Sequence, residues 1–269
     1  MNKIPLGRDT EYPQEYAPGV LFSVSRSETR NRLGIGTELP FAGQDVWNAW
    51  ELTWLDAHGK PVVATATLTF DATSPSIVES KSLKLYLGSF AKSRFDTSSN
   101  LAGTIADDLS GVTGGAVDVD IHHLADGDFG KISAMPGHCV DELVLPVLPD
   151  EIEASLLSAT GESVKQTLHS HLLRSLCPVT AQPDIGSIMI HYCGPRIDPG
   201  SFLAYVTSFR QHQDFHEGCV ERMFLDIKTR CRPEALTVYA RYNRRGGIDI
   251  NPVRSDFEGA PDNIRLWRQ

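Results

Sequence analysis

The chain has 269 residues, of which 41% are hydrophobic and 22% are charged, and its formal net charge is -9. This composition is typical of a globular protein, and the acidic excess argues against non-specific binding to nucleic acids or to anionic membrane surfaces. An anionic cofactor would therefore need a local cluster of basic residues. The N-terminal residues lack the apolar segment of a secretory signal, and the apolar stretches are too short for a transmembrane helix. We expect a cytoplasmic protein whose five cysteines are reduced thiols.

The first half of the chain has the pattern of a hairpin followed by a helix. Residues 1–40 are polar and rich in proline and glycine, and we expect them to be irregular. Residues 46–70 form two β-like arms around a polar turn, which predicts a hairpin. Residues 116–147 are predicted to be rich in strands. Between these regions, four apolar residues have the spacing of one helix face: Leu83, Tyr86, Leu87 and Phe90.

The second half repeats this order. Residues 151–175 are predicted to form a hairpin around Gly161, and residues 187–193 a strand. One helix is predicted over residues 197–209 and a longer one from Asp214 onwards. Residues 234–242 have the pattern of a closing strand.

An internal repeat supports this symmetry. A shift of 119 residues places Val78–Phe90 on Ile197–Phe209, with four identities in thirteen positions. The aligned pairs are Glu79 with Asp198, Ser82 with Ser201, Tyr86 with Tyr205, Ser89 with Ser208, and Phe90 with Phe209. The matching order of elements favours a duplicated module.

Cys177 lies seven residues before Asp184 in the segment SLCPVTAQPD. Pro178 and Pro183 interrupt regular strand pairing, so we expect a turn here. A thiol and a carboxyl on one turn can serve as nucleophile and proton donor. Without further context, Cys177 could equally be a small buried hydrophobic residue, which is what we expect of the other four cysteines.

Three carboxylates and a histidine lie near predicted helix starts, where they could have a structural role or bind a ligand. Asp214 and Glu217 match a capping box, but a carboxylate can also accept two parallel N–H donors from a guanine-like base. Glu79 could interact with the helix dipole or contact a ligand. His216, in the first helical turn, could be structural or could contact the substrate.

Basic residues and glycines suggest a place for an anionic cofactor. Lys81 and Lys84 could form part of it or lie in solvent, and Arg245 with Gly246 could form it or a polar turn. The segment Gly34–Leu39 begins like a dinucleotide-binding GxGxxG motif, but its last glycine is missing and a polar stretch precedes it. We therefore exclude a Rossmann-type site.

Four motifs occur in a characteristic order: Glu79–Phe90, Ser175–Asp184, Phe215–Arg222 and Arg244–Ser255. With them the chain resembles the NADPH-dependent nitrile reductases that act on 7-cyano-7-deazaguanine in queuosine biosynthesis, in their long, two-module form. The resemblance runs from about Pro40 to the C-terminus. It implies an α+β fold of tandem tunnelling-fold (T-fold) modules, each an antiparallel sheet with helices on one face. The implied division is an extension over residues 1–40 and modules over residues 41–148 and 149–269.

The resemblance also implies roles for individual residues. Cys177 would form a covalent thioimide with the nitrile, and Asp184 would donate protons. The implied substrate contacts are Val78, Glu79, Ser80, His216 and Glu217, and the implied cofactor contacts are Ser80, Lys81, Arg245 and Gly246. Two NADPH would be consumed per nitrile by a homodimer with no nucleic acid or membrane partner. The alternatives are a cysteine-dependent hydrolase of a purine-like substrate and a non-catalytic T-fold protein that binds a pterin or purine.

We predict no metal. The GTP cyclohydrolases, which are T-fold relatives, bind zinc through a cysteine and a histidine three residues later, a position occupied here by Thr180. His169 and His171 lie two residues apart on one face of a predicted strand, but the sequence indicates no third ligand for them.

Overall fold

The computed structural model describes residues 12–126, 129–149 and 151–269. These residues divide into two compact units. Unit 1 contains residues 12–36, 45–131 and 244–249, and unit 2 contains residues 37–44, 132–243 and 250–269. No helix in the described ranges combines the length and the apolar character needed to cross a membrane.

Unit 1 has a three-stranded sheet with two principal helices. Its elements are β1 (Ser23–Ser25), α1 (Ser27–Arg32), β2 (Ala42–Leu55), β3 (Pro61–Asp71), β4 (Ser76–Val78), α2 (Ser80–Gly88), α3 (Ser98–Thr113) and β5 (Val117–His123). The strand order is β5-β3-β2, and β1 pairs separately with β4. Helix α3 packs against β5 and buries Leu101, Ile105 and Leu109, which are four residues apart and therefore share one face. The predicted hairpin and the first predicted helix are confirmed.

Unit 2 repeats this architecture with a longer sheet. Its elements are β6 (His138–Cys139), β7 (Ala159–Leu176), β8 (Pro183–Ile197), α4 (Pro199–Thr207), α5 (His216–Cys231), β9 (Ala235–Tyr242) and all but the first two residues of β10 (Ile248–Ser255). The order is β10-β9-β8-β7-β6, and every pairing is antiparallel except that of β6 with β7. The α+β fold with antiparallel sheets is thus confirmed.

Both faces of the unit 2 sheet are covered. Helix α4 packs against β7 and β8, and α5 packs against β9. A second core cluster draws on three strands and on chain segments that lie outside them: Met135, Met189, Tyr239, Val253 and Leu266. Strands β9 and β10 are consequently buried along almost their whole length.

Some predicted elements differ from the structure. Residues 151–175 do not form a hairpin, because β7 runs through Gly161, whose φ of 77° lies beside an irregularity in the strand register. Residues 1–40 are not wholly irregular, since the described part contains β1 and α1. Residues 116–147 contain only β5 and the two-residue β6 among their described positions. The second long helix begins at His216, two residues after the predicted start.

The two units share the same helix-capping interactions. Helices α2 and α4 each have nine residues, and each begins after a carboxylate. The Glu79 side chain accepts hydrogen bonds from the backbone N–H groups of Lys81 and Ser82 (2.9 and 2.8 Å), and Asp198 accepts one from Ser201 (2.7 Å). The predicted equivalence of Glu79 and Asp198 therefore has a physical basis.

A buried tyrosine joins the two helices of each unit. Tyr86 donates to Asp108 (2.6 Å) between α2 and α3, and Tyr205 donates to Asp226 (2.6 Å) between α4 and α5. Burial raises the pKa of both phenols, so both remain hydrogen-bond donors. Each unit therefore has a tyrosine–aspartate hydrogen bond that connects its two helices at the equivalent position.

The approach to the second helix of unit 1 is also fixed by backbone hydrogen bonds. At the end of β2, Leu55 donates to the carbonyl of Ser93 (2.9 Å) and accepts from the N–H group of Phe95 (2.9 Å). The segment before α3 thereby runs parallel to the end of β2.

Tyr205→Phe should lower the free energy of unfolding by about 1.5 to 3 kcal/mol, because it removes a hydrogen bond to a charged group in a buried position. Denaturant unfolding followed by circular dichroism measures the change. Tyr12→Phe, at a residue that is 76% exposed, is the matched control and should have no effect. Equal stabilities of the Tyr205 variant and the unmodified chain would contradict this role of the hydroxyl.

Candidate functional site

The segment that carries Cys177 is a closed turn between β7 and β8. Strand β7 ends at Leu176 and β8 begins at Pro183, as the flanking prolines predicted. The N–H group of Cys177 donates to the carbonyl of Gln182 (2.9 Å), and Ala181 donates to the carbonyl of Cys177 (3.0 Å). These two bonds hold Cys177, which is only 4% exposed, in one place.

The turn includes an unfavourable backbone conformation at Ala181. Its φ of 55° lies in the left-handed region, which costs a residue with a side chain about 1 to 2 kcal/mol. Such conformations persist only where the surroundings fix them, and they concentrate at functional sites. The surroundings of this turn therefore hold Ala181 in a conformation that the residue would not favour by itself.

Asp184 is placed by the strand register. It pairs with Ser175, which is the residue two positions before Cys177 in β7. The Asp184 side chain is buried, with 7% exposure. The predicted nucleophile and proton donor thus belong to the same hairpin end. Because Asp184 is on a paired strand, its backbone position is fixed.

The start of α5 is attached to the same hairpin end. The N–H group of Leu176 donates to the carbonyl of His212 (2.8 Å), and its carbonyl accepts from Asp214 (3.3 Å). This is the arrangement seen at Leu55 in unit 1. It positions the first turn of α5 beside the turn that holds Cys177.

His216 lies between two partners at this point. Its Nε2 atom is 3.8 Å from Oδ2 of Asp184, and its ring is 4.0 Å from that of Tyr242 in an edge-on arrangement. An imidazole at this distance can exchange a proton with the carboxylate through a small movement. The structure therefore brings Asp184 and His216 close together in unit 2, and Cys177 lies on the turn that leads into the strand carrying Asp184.

Glu217 does not belong to a capping box. Helix α5 begins at His216, so the N-cap residue is Phe215, whose side chain cannot accept a hydrogen bond. The Asp214 side chain instead accepts from the N–H group of Phe215 (2.8 Å). Glu217 is the second helical residue and is 4% exposed. The capping-box interpretation is therefore wrong, whereas the ligand-binding interpretation stays a prediction.

Other buried groups near this site were not identified from the sequence. Burial, together with the charges of Asp214 and Asp184, raises the pKa of the Cys219 thiol, and burial raises that of the Tyr242 phenol. Both groups therefore stay protonated at neutral pH. The alternating sequence pattern of β9 predicts which face of the strand carries Tyr242. It does not predict that Tyr242 contacts His216.

In unit 1, the predicted ligand residues surround the start of α2. Val78 and Glu79 are each 1% exposed, whereas Ser80 and Lys81 are partly exposed. Because the Glu79 carboxylate accepts from the N–H groups of Lys81 and Ser82, these donors are not available to a phosphate. A phosphate at this point would therefore depend on side chains for its positively charged partners.

The second predicted cofactor segment is a tight turn. Gly246 and Gly247 have φ values of 62° and 79°, and the N–H group of Arg245 donates to the carbonyl of Ile248 (2.9 Å). Positive φ at both central residues is the requirement of a type I′ turn. Glycine is therefore favoured at both positions by the turn conformation alone, whether or not a ligand binds there.

This turn lies beside the lysines of α2. A Cβ atom added to Gly246 would come within 3.1 Å of the Lys84 side chain, and Lys81 is one helical turn away on the same side. The guanidinium of Arg244, the first residue of the fourth motif, lies over the Trp50 ring, 5.5 Å from its centroid. This cationic surface, which includes one carboxylate (Glu51, beside Gly247), has the positive charges and the exposed glycine that suit a phosphate-bearing cofactor.

Comparison with known proteins identifies the family. The model of "Nitrile reductase, 7-cyano-7-deazaguanine-reductase N-term" matches residues 12–121, and that of "QueF-like protein" matches residues 183–260. Relatives named NADPH-dependent 7-cyano-7-deazaguanine reductase are 51% identical in Burkholderia ambifaria (strain MC40-6), 50% in Burkholderia vietnamiensis and 48% in Paraburkholderia phytofirmans. Each match covers 98% of this chain and 98% of the relative. The chain therefore belongs to the family of NADPH-dependent 7-cyano-7-deazaguanine reductases.

Proposed function

We propose that this chain reduces the nitrile of 7-cyano-7-deazaguanine to the amine of 7-aminomethyl-7-deazaguanine, through a thioimide on Cys177, in the cytoplasmic biosynthesis of queuosine. Membership of the family supports the substrate and the cofactor. The observation that carries the covalent step is a buried thiol on the closed turn that leads into β8, whose Asp184 carboxylate lies 3.8 Å from the His216 imidazole.

The first step is the addition of Cys177 to the nitrile. A bond forms between Sγ and the nitrile carbon, and one carbon–nitrogen π bond breaks. Asp184 gives a proton to the nitrile nitrogen, and the proton released by the thiol passes to the Asp184–His216 pair. The product is a thioimide, whose carbon accepts hydride more readily than that of a nitrile.

Bound NADPH supplies the hydride for each of the two reductions. After the first hydride, Asp184 gives the nitrogen a second proton; the carbon–sulfur bond then breaks and the nitrogen gives up one proton, so that Cys177 leaves as a thiol and the imine forms. After the second hydride, Asp184 protonates the nitrogen again and completes the amine. The two protons consumed overall come from solvent and reach Asp184 through His216. Because Cys177 and Asp184 are 4% and 7% exposed, water has little access to an imine that it would hydrolyse.

Recognition of the substrate is assigned to a second set of side chains. The Glu217 carboxylate would accept the ring N–H and the exocyclic amine of the base in parallel. His216 would contact the substrate next to the nitrile. Further contacts are proposed for Val78, Glu79 and Ser80.

The cofactor is assigned to the cationic surface of unit 1. Lys81 and Arg245 would pair with its phosphates, with Ser80 and Gly246 adjacent to them. The backbone at Gly246 is exposed and can be approached by a ligand, and the missing side chain leaves space for Lys84 beside it.

The same proposal divides the chain into modules of residues 41–148 and 149–269 and pairs two chains in a homodimer. The repeated caps and tyrosine–aspartate bonds support two modules. The dimer comes from the family resemblance, and sedimentation at several concentrations tests it.

The stoichiometry of NADPH oxidation tests the function. The unmodified chain should oxidise two NADPH for each amine formed from 7-cyano-7-deazaguanine, as a four-electron reduction requires. Cys177→Ala should give neither a covalent adduct in intact-mass spectra nor turnover, whereas Cys193→Ala, a half-exposed cysteine on β8, should retain both. Hydrolysis without NADPH oxidation would favour the hydrolase, and binding alone would favour the non-catalytic protein.

Asp184→Asn should lower kcat by about 10²-fold or more, because an amide cannot donate the proton that a carboxylic acid supplies. Steady-state rates at saturating substrate measure the loss. Asp118→Asn, at an exposed position of β5, provides a control of equal charge change. An unchanged kcat would remove Asp184 from the proton-donor role.

Arg245→Ala should raise the KM for NADPH by about tenfold or more and change the KM for the nitrile little, since it removes a charge-assisted bond to phosphate. The exposed Arg230, at the end of α5, is the control for the loss of one positive charge. If the variant affected only the KM for the nitrile, Arg245 would belong to the substrate site.

A further inference from the structure

His169 and His171 have a third potential metal ligand that the sequence analysis did not find. Strand β6 runs parallel to β7 and places Cys139 directly opposite His169. One ligand atom from each of the three residues lies within 4.8 Å of the other two. Thirty residues separate Cys139 from His169 in the sequence, so their proximity is a consequence of the fold.

The two imidazoles are oriented as metal ligands usually are. The Nδ1 atom of His169 is 2.9 Å from the carbonyl oxygen of Pro136. A carbonyl can only accept, so Nδ1 carries the proton and Nε2 presents a lone pair. The Nδ1 atom of His171 is 2.7 Å from the hydroxyl of Ser187, which can hold its ring in the same way. Such outer partners fix the tautomer and the direction of ligating histidines.

The surrounding backbone holds all three residues in place. Gly137 has a φ of 89°, and a Cβ atom there would lie 2.5 Å from the carbonyl oxygen of Thr167, so only glycine lets β6 approach β7 this closely. The register of β7 shifts between Ser170 and Leu173, which leaves His171 in a bulge. Arg268 donates to the carbonyl of His171 (2.7 Å) and supports this bulge.

We propose that Cys139, His169 and His171 bind a divalent ion of the zinc type. One thiolate and two imidazoles form a ligand set that zinc favours, with bonds of about 2.3 and 2.1 Å. Tetrahedral coordination needs ligand atoms about 3.5 Å apart, which small side-chain rotations achieve from the observed spacing. The Cys139 thiol releases its proton on binding, and water completes the coordination.

The role of this ion is structural. Strand β6 has only two residues, and the ion would fasten it to β7 more firmly than its few hydrogen bonds can. All three ligands differ from the residues assigned to nitrile reduction. The inference therefore does not rest on the proposed function.

Cobalt titration of the chelator-treated, full-length chain tests the site, because cobalt replaces zinc and a cobalt–thiolate bond gives a charge-transfer band. We expect one equivalent of Co²⁺ to produce this band and one equivalent of Zn²⁺ to remove it. Cys139→Ser should abolish the band, and His171→Gln should weaken binding at least 100-fold. Cys193→Ser and Cys177→Ala are matched cysteine controls and should retain the band.

Two further measurements keep the test independent of the folding of any one variant. Zn²⁺ should raise the Tm of the unmodified chain and of Cys193→Ser, because the ion binds the native state, and should not raise that of Cys139→Ser. Ser187→Ala, which removes only the outer partner of His171, should weaken binding about 10- to 100-fold. A band that persists in Cys139→Ser, or the lack of stoichiometric binding to the unmodified chain, would overturn the proposal.

Discussion

The register of β7 against β8 is the constraint on which both sites in unit 2 depend. Their pairing extends from Ala159 opposite Ile197 to Leu176 opposite Pro183. Because side chains alternate across a strand, a slip of one residue would turn Asp184 to the other face of the sheet. The same slip would move Ser187 of β8 away from the His171 ring that it contacts at 2.7 Å. One strand pair therefore determines the geometry of the nucleophile and of the histidine cluster.

The candidate active site combines several features that oppose stability. Asp184 and Glu217 are buried carboxylates, and Ala181 has a left-handed backbone conformation. Burying a charge and straining the backbone both cost free energy, so the surrounding sheet and helix must hold these groups in place. Placing them at the ends of β7, β8 and α5 gives them a rigid support that a long loop would lack.

The sequence predicted the elements whose signal is local. The hairpin over residues 46–70 and the helix faces follow directly from apolar spacing. Gly161 was misread because a glycine with positive φ serves a bulge within a strand as well as a turn between two. Contacts between distant segments left no local signal. Cys139 pairs with His169 through a strand of two residues, too short to show any periodicity.

Side-chain geometry was needed to decide whether a carboxylate near a helix start has a structural role or binds a ligand. Sequence alone could not decide whether Glu79 or Glu217 caps a helix, because both precede or begin an apolar helical pattern. The structure gives opposite answers: Glu79 caps α2, whereas Phe215 occupies the N-cap of α5. The difference depends on where each helix begins, which is the least predictable feature of a helix.

The backbone hydrogen bonds at Leu55 and Leu176 identify equivalent positions in the two units. If the units arose by duplication, the residues that follow these positions show how the two copies came to differ in function. The residue after Leu176 is Cys177, whereas the residue after Leu55 is Asp56. Asp56 accepts from the N–H groups of His58 and Lys60 (both 2.9 Å) and closes a tight turn in unit 1. Exchanging Asp56 for cysteine would therefore remove two hydrogen bonds from that turn and leave only its backbone bonds to close it. Restoring chemistry to the first copy would require a longer loop as well as a thiol, so specialisation of this kind is difficult to reverse by single substitutions.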